Sequence, residues 1–294
     1  MKIIVTGSLG NISKPLAQEL ITKGHDVTII SNKTDKQQEI EAFGAKAAIG
    51  SVEDAAFLKT AFAGADAVYG MTPPNFGAAD MIGYYAGVAG AYAEAAQRAG
   101  VKHIVYLSSY GADLEKGSGV IRGSHVGEDI LNKLEGVAVT CLRPGYFYYN
   151  LYNFLGMIKK QGVIGANFGG DDKLVMVSPL DIAAAGAEEL TAANAQSKVR
   201  YIASDERTCS EVAGLIGEAI DRPGLQWLTF TDEQVRKSRL DHGIAPAITD
   251  LLVELGAAIH TGLLRGDYEK HKPAPGKVKL PEFIKEFAVA YHQN

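Results

Sequence analysis

The first half of the chain alternates short apolar runs with segments of helical periodicity, and this alternation restricts the fold more than any other feature. The apolar runs predict β-strands at Lys2–Thr6, Asp26–Ser31, Ala45–Ile49, Ala65–Met71, Val101–Ser108 and Ala138–Leu142. The segments between them predict helices at Ser13–Lys23, Lys36–Phe43, Glu53–Phe62, Ala78–Ala99 and Ser124–Leu134. Apolar strands that alternate with helices are typical of a parallel sheet covered on both faces. The sequence therefore predicts an α/β fold.

The pattern changes after Pro144, where the regular alternation stops. An aromatic and amide-rich segment, Tyr146–Phe154, is followed by a glycine-bearing loop at 162–172. The later elements are predicted at Leu174–Val177, Pro179–Ala192, Val199–Ile202 and Leu225–Phe230. The length of 294 residues allows one large domain or two modest ones.

Charge and cysteine content restrict the partners and the compartment. The chain carries 29 basic and 34 acidic residues, a net charge of −5, which argues against a nucleic-acid footprint. Two cysteines, Cys141 and Cys209, are too few for a disulfide scaffold and fit a reducing compartment. The uncharged stretch near Met81–Ala93 is shorter than a membrane span. The sequence predicts a soluble cytoplasmic protein that binds neither nucleic acid nor membrane.

The first strand leads directly into a glycine-bearing turn and then a helix. Glycines here let the backbone turn tightly and come close to a pyrophosphate, and the helix N-terminus offers unpaired N–H groups. Ser13 could cap that helix. The alternative is an ordinary strand-to-helix turn. The placement favours a dinucleotide site whose first contacts are Thr6, Gly7, Leu9, Gly10, Asn11 and Ile12.

The end of the second strand bears on the choice of cofactor. NAD enzymes usually place Asp or Glu there to bind the ribose 2′-hydroxyl, whereas this chain has Ser31, Asn32 and Lys33. Lys33 can pair with a 2′-phosphate, so NADP(H) is favoured and NADPH is expected over NADH. The alternative is that Lys33 is a solvated loop charge, and the nearby Asp35 weakens the argument.

Several short segments together resemble the NmrA-like family of atypical short-chain dehydrogenases/reductases. These segments are Val5–Ile12, Gly24–Val27, Met71–Pro74, Val105–Ser109, Leu142–Phe147, Asn150 and Val177–Ala183. The resemblance covers roughly residues 2–205. It implies a Rossmann-type doubly wound parallel sheet with a smaller, discontinuous C-terminal α+β domain and a cleft between the two. The predicted dinucleotide-binding domain is 1–150 with a return segment at about 174–204, and the substrate-side domain is 151–173 with 205–294.

The resemblance also extends the list of expected site residues. Further cofactor contacts are predicted at Met71, Thr72, Pro73, Ser108, Tyr146 and Phe147. Tyr146, Phe147 and Tyr149 are predicted to stack a flat substrate, and packing at the domain interface is the alternative. The charged loop from Gly111 to Gly123 could close over the site. No metal site is predicted, because the seven histidines are scattered.

The usual reductase residues are incomplete in this chain. Members of the wider superfamily carry Tyr-x-x-x-Lys on the helix after strand five, where this chain reads Gly123–Leu131 without either residue. His125 occupies a comparable place and could donate a proton, or it could only order its helix with Glu128. A Tyr-x-x-x-Lys string at Tyr268 lies far from strand five and is interpreted as coincidence.

Two functions remain open from the sequence. The first is an NADPH-dependent oxidoreductase that reduces a small planar acceptor such as a quinone. The second is a non-catalytic NADP(H) sensor that binds a regulatory protein partner. The missing Tyr–Lys pair favours the sensor, and the aromatic segment favours the reductase. The chain could be a monomer or a homodimer that pairs through Ala78–Ala99.

Overall fold

The computed structural model describes residues 1–293. The strands are β1 Lys2–Val5, β2 Asp26–Ser31, β3 Lys46–Ile49, β4 Ala67–Met71, β5 His103–Leu107, β6 Ala138–Pro144, β7 Tyr146–Phe147, β8 Ile164–Ala166, β9 Lys173–Val177, β10 Lys198–Ile202, β11 Asp205–Thr208 and β12 Trp227–Thr229. The helices are α1 Ser13–Thr22, α2 Gln37–Ala42, α3 Ala55–Phe62, α4 Met81–Ala99, α5 Arg122–Leu131, α6 Leu155–Gln161, α7 Pro179–Leu190, α8 Cys209–Ala219, α9 Asp232–Asp241, α10 Pro246–His260, α11 Arg265–Lys270 and α12 Leu280–Gln293.

The predicted strands and helices of the first half are all present, and side-chain caps explain where two helices start. α3 begins at Ala55 because the Asp54 carboxylate accepts hydrogen bonds from the backbone N–H of Ala56 and Phe57. α4 begins at Met81 rather than at Ala78, because Asp80 caps it through the Gly83 N–H. Sequence periodicity continues across such caps, so it placed both starts too early.

The central sheet has seven strands in the order β3-β2-β1-β4-β5-β6-β10. β1 pairs in parallel with β2, where Ile3 lies opposite Val27, and with β4, where Ile3 lies opposite Ala67. The chain therefore moves outward from β1 through β2 and β3, then returns to the other side of β1 as β4. This order is the doubly wound Rossmann arrangement, and it confirms the predicted fold class. Ligands of such sheets bind beyond the carboxyl ends of β1 and β4, where the direction of winding reverses.

Helices shield the central sheet because its strands are apolar on both faces. α3 and α4 pack against β1, β2, β4 and β5 through the buried side chains Leu58, Phe62, Val88, Tyr92, Ile4, Ile30, Val68 and Ile104. α7 packs on α1 and β6, where a Cβ added to Gly186 would meet Leu16 at 3.5 Å and Leu142 at 3.8 Å. Burial of these side chains supplies the main stabilisation of the sheet.

The chain divides into two compact units at residues that differ from the predicted domain boundaries. The first unit contains 1–112, 123–143 and 182–200, and the second contains 113–122, 144–181 and the chain from Tyr201 onward. The predicted first domain extended to residue 150, but the chain leaves the first unit after Arg143.

Two contacts give the physical reason for this division. β9 does not join the central sheet, because it pairs antiparallel with β11 and parallel with β7 in a separate three-stranded sheet. The predicted return segment at 174–204 therefore contributes only 182–200 to the first unit. Segment 113–122 belongs to the second unit because Gly119, with φ +58°, lies directly against the backbone of Leu251 and Leu255 in α10. A Cβ at Gly119 would overlap the Leu251 carbonyl.

The second unit also contains a two-stranded sheet of β8 and β12 and most of the later helices. α8 and α9 each begin with a capping box, formed by Thr208 with Glu211 and by Thr231 with Gln234.

One helical stretch, at 246–270, is long and apolar enough to cross a membrane by length and composition. Only 33% of its most apolar window is buried within the protein. One such stretch is weak evidence, since core helices of soluble proteins pass the same test. The absence of a membrane partner and the cytoplasmic location therefore stay predictions.

Candidate functional site

The turn after β1 has a backbone that requires glycine at Gly7 and leaves little room for a side chain at Gly10. Gly7 has φ +92°, and a Cβ there would lie 2.5 Å from the Ser13 Oγ and 3.2 Å from the Met71 Cγ. A Cβ at Gly10 would lie 3.0 Å from the Gly7 carbonyl oxygen, which accepts the Gly10 N–H at 3.2 Å. The backbone is therefore bare on the inside of this turn.

Hydrogen bonds hold the turn between three strand ends. The Thr6 hydroxyl accepts the Met71 N–H at 2.9 Å, which ties β1 to the end of β4. The Ser8 hydroxyl donates to the Ser31 hydroxyl at 3.1 Å, which ties the turn to the end of β2. Thr6 is fully buried, so its side chain supports the turn from below. This network holds the turn to the ends of β2 and β4.

The expectation that Ser13 caps α1 is wrong. Ser13 is the first helical residue, and its hydroxyl donates to the Thr6 carbonyl at 2.7 Å. Ile12 is the capping position, and no described side chain accepts from the first turn of α1. Lys14 donates its N–H to the Gly10 carbonyl at 2.9 Å and Pro15 has no N–H, so the Ser13 N–H is the group among the first three helical residues that is left to face a phosphate beside the turn. Leu9 and Asn11 lie within the same turn.

The end of β2 leads into the cation Lys33, and residues 31–33 contain no carboxylate. Ser31 is buried, and its hydroxyl accepts the Lys33 N–H at 3.2 Å. Asn32 and Lys33 are exposed. The neighbouring Lys36 is held differently, because its ammonium pairs with Glu39 at 2.6 Å.

Residues 71–73, at the end of β4, lie in two different environments: beside the glycine turn and in the core of the first unit. The Met71 side chain lies against Gly7, and the Met71 carbonyl accepts the Tyr92 hydroxyl at 2.7 Å. The Thr72 hydroxyl is 7% exposed and shares a 3.1 Å hydrogen bond with the Tyr106 hydroxyl. Pro73 is half-buried. The structure therefore brings Met71 to the turn and occupies the Thr72 hydroxyl inside the first unit.

Ser108 belongs to a buried ion-pair network that the sequence analysis missed. The Ser108 hydroxyl donates to Glu128 Oε1 at 2.5 Å, and Glu128 also accepts from Arg143 Nε at 2.9 Å and Nη2 at 2.6 Å. Only 9% of the Arg143 side chain and 5% of the Glu128 side chain is exposed. The sequence contained one signal, an arginine inside an apolar strand, because a buried guanidinium requires a counter-ion.

His125 is anchored by the backbone and not by Glu128. Its Nδ1 lies 2.9 Å from the Ala112 carbonyl oxygen, so Nδ1 carries a proton and donates it there. Its Nε2 lies 3.6 Å from Asp129 Oδ2, and 19% of the side chain is exposed. The alternative that His125 orders its helix by pairing with Glu128 is therefore wrong, because the carboxylate near its ring is that of Asp129. The Nε2 atom is the one that can take up or release a proton.

Both residues of the Tyr-x-x-x-Lys string at Tyr268 are bonded to Glu206. The Tyr268 hydroxyl donates to Glu206 Oε1 at 2.9 Å, and the Lys272 ammonium pairs with the same oxygen at 2.5 Å. Burial and the bond to Glu206 raise the pKa of Tyr268 above its usual value. A catalytic tyrosine acid requires the opposite shift, so this pair does not resemble a reductase acid.

The aromatic segment after β6 separates into two groups within the second unit. Tyr148 and Tyr152 pack on Phe283 of α12, with ring centroids 5.6 Å and 5.2 Å apart, and belong to the core of that unit. Tyr146, Phe147 and Tyr149 are only half-buried.

The half-buried rings have aromatic neighbours of their own. Tyr146 meets Phe168 edge-on at 6.4 Å, and Phe147 lies 5.0 Å from Tyr149. The half-buried group thus contains the three residues predicted to contact substrate, and that role stays a prediction.

The comparisons with known proteins show which family the chain belongs to. A family model described as NAD(P)H-binding matches residues 7–191. The chain belongs to this NAD(P)H-binding family. The match begins at the glycine turn and confirms the predicted resemblance and a nicotinamide dinucleotide as ligand. The bare turn at Gly7 and Gly10 and the uncapped start of α1 fit that ligand.

Two curated relatives are reductases. The chain is 26% identical over 293 residues to the NAD(P)H azoreductase of Xenophilus azovorans, covering 98% of this chain and 99% of the relative. It is 26% identical over 223 residues to the (4-alkanoyl-5-oxo-2,5-dihydrofuran-3-yl)methyl phosphate reductase of Streptomyces griseus, covering 75% of this chain and 74% of the relative.

Two solved structures share the fold. The NADPH-dependent quinone oxidoreductase of Escherichia coli, complexed with NADPH, has a TM-score of 0.83 and 22% identity and covers 97% of this chain and 99% of its own. The Citrobacter sp. triphenylmethane reductase has a TM-score of 0.80 and 20% identity and covers 98% of this chain and 100% of its own.

Proposed function

We propose that this protein is an NADPH-dependent oxidoreductase that reduces a small planar acceptor such as a quinone. The observation that carries the proposal is the bare glycine turn beside the uncapped start of α1, in a chain that aligns along nearly its whole length with an NAD(P)H azoreductase. The fold shared with a quinone oxidoreductase and a dye reductase supports the same class of acceptor. We also propose a cytoplasmic location; the oligomeric state and any protein partner stay open.

The proposed cofactor contacts follow the strand ends. The backbone N–H groups of Leu9, Asn11 and Ile12 bind the pyrophosphate, because those of Ser8 and Gly10 already donate to the carbonyls of Ile30 and Gly7. Met71 and Pro73 border the turn from the end of β4. At the end of β2, the Lys33 ammonium pairs with the 2′-phosphate, since no carboxylate there repels it. This pairing is the reason to expect NADPH over NADH. The Thr72 hydroxyl is bonded to Tyr106 and the Ser108 hydroxyl to Glu128. These two residues therefore support the cofactor site indirectly, by fixing the strand ends that form it.

The bound nicotinamide supplies the hydride. The proposed tasks of the protein are to hold the acceptor and to deliver a proton. Tyr146, Phe147 and Tyr149 contact the flat face of the acceptor. His125 delivers the proton from Nε2, while Nδ1 keeps the ring oriented through its bond to the Ala112 carbonyl. A quinone suits this arrangement because its reduced anion is stabilised and needs no tyrosine acid.

The test is steady-state oxidation of NADPH with a panel of quinones and azo compounds. The proposal predicts turnover with at least one of them and a loss of about 10²-fold in kcat for His125→Ala, the lower range of general acid catalysis. Asp129→Asn is the matched control, because Asp129 lies near the same Nε2 but is 60% exposed. Binding of NADPH without turnover on any acceptor would contradict the proposal and support a non-catalytic NADP(H) sensor.

A further inference from the structure

Helix α9 carries two arginines one turn apart, and only one of them has a counter-ion. The exposed Arg236 forms an ion pair with Asp250 of α10. Arg239 is half-buried, and its Nε is completely shielded from solvent without a hydrogen-bond partner among the residues that the structure describes. A desolvated guanidinium without a carboxylate is costly, since buried charges are normally paired.

Arg239 has an aromatic neighbour, Tyr146, which belongs to a group of three rings. Burial lowers the pKa of Arg239 below its usual value, and the titratable neighbour that opposes this shift is Tyr146. Tyr146 meets Phe168 edge-on, and the Phe168 ring lies 5.6 Å from that of Trp227. The Trp227 indole N–H donates to the Phe168 carbonyl at 2.9 Å, which fixes both rings. We call Arg239, Tyr146, Phe168 and Trp227 the Arg239 cluster.

We infer that the Arg239 cluster binds an aromatic acceptor through an anionic substituent, a carboxylate or a sulfonate. A guanidinium offers five N–H donors in a planar fork that matches two oxygens of such a group, whereas both terminal nitrogens of Arg236 are already bonded to Asp250. The linked rings of Tyr146, Phe168 and Trp227 suit the aromatic body of the same molecule. The inference rests on the proposed reductase function, because it specifies the acceptor class and assigns Arg239 as the residue that selects it.

Two non-reducible probes test this assignment without turnover. Anilinonaphthalene sulfonate and N-phenyl-1-naphthylamine share the same rings, but only the first carries a sulfonate. Trp227 is the single tryptophan of the chain, so energy transfer from it reports dye bound near the Arg239 cluster. Dissociation constants are measured for the wild type, Arg239→Gln, Arg239→Lys and the control Arg236→Gln, with circular dichroism to verify folding.

The inference predicts that Arg239→Gln weakens the sulfonate about tenfold or more, the range of a charge-assisted hydrogen bond. It also predicts that the neutral probe is unaffected, that Arg239→Lys lies between the wild type and Arg239→Gln, and that Arg236→Gln matches the wild type. Equal loss of both probes, no loss of either, or the same loss in Arg236→Gln would overturn it.

Two further readouts separate this inference from the proposed function and from the cofactor. If Arg239 bound a cofactor phosphate instead, Arg239→Gln would weaken NADPH, and that result would refute the assignment. Reduction of a quinone with and without a sulfonate tests the consequence for specificity, where Arg239→Gln should lower kcat/KM for the sulfonated quinone alone. A wild type that selects the sulfonated probe through Arg239 but reduces no acceptor would support the anion site and contradict the reductase function.

Discussion

Substitution of Gly7 by alanine tests whether the turn after β1 is built for close backbone approach. The matched control is Gly24→Ala, because Gly24 has φ +81° but no atom within 4 Å of an added Cβ. Both substitutions force alanine into the left-handed region at a cost of about 1–2 kcal/mol. Only at Gly7 would the Cβ also meet the Ser13 Oγ at 2.5 Å, displacing the hydroxyl from its buried 2.7 Å bond to the Thr6 carbonyl. An unmade buried hydrogen bond adds about 1–3 kcal/mol.

Gly24→Ala should therefore lower the free energy of unfolding by about 1–2 kcal/mol, and Gly7→Ala by roughly 2–5 kcal/mol. Urea unfolding followed by circular dichroism measures both values. NADPH affinity, measured by cofactor fluorescence, should fall at least tenfold in Gly7→Ala and stay unchanged in Gly24→Ala. Equal destabilisation of the two variants, or wild-type NADPH affinity in Gly7→Ala, would refute the reasoning about this turn.

Three other substitutions examine charges at and around the site. Lys33→Ala should weaken NADPH by roughly fivefold and leave NADH unchanged, whereas Lys36→Ala should alter neither, as cofactor titrations would show. Glu128→Gln removes the carboxylate that pairs with the buried Arg143 and should lower the free energy of unfolding in urea by about 3–5 kcal/mol. The control Glu94→Gln removes an exposed pair with Arg98 and should lower it by less than about 1 kcal/mol. Burial alone would raise the pKa of Glu206, but hydrogen bonds with three neighbours lower it to about 2, so its stabilisation is complete above its usual value of 4.5 and lost as pH falls towards 2. In urea unfolding, the free energy of unfolding of Glu206→Gln should therefore fall less than that of the wild type as the pH is lowered from 4.5 towards 2.

The sequence was sufficient for the central sheet because its strands are buried on both faces. Continuous apolar runs such as Ile3–Val5 are typical of strands buried on both faces, and the helices between them lead to parallel pairing. The glycine turn was also predictable, since its position directly after β1 determines where a phosphate can approach.

The unit boundaries and the side-chain partners were not predictable from local pattern. Ser13 is a good capping residue by type, but its hydroxyl donates a hydrogen bond to the carbonyl of Thr6, seven residues earlier in the chain. Ser108 stays a predicted cofactor neighbour, but its bond to Glu128, twenty residues later in the chain, could not be predicted from local pattern. Arg239 gave no signal, because nothing in α9 distinguishes it from Arg236 until α10 supplies Asp250 to only one of them.

The most direct test of the reductase account is a single turnover of the bound cofactor. The protein is loaded with one equivalent of NADPH without oxygen, then mixed with a quinone, and the absorbance of the reduced nicotinamide is followed. The account predicts complete loss of that absorbance faster than in the protein-free mixture, with slower loss in His125→Ala. NADPH that stays bound and reduced, at the protein-free rate, would contradict it.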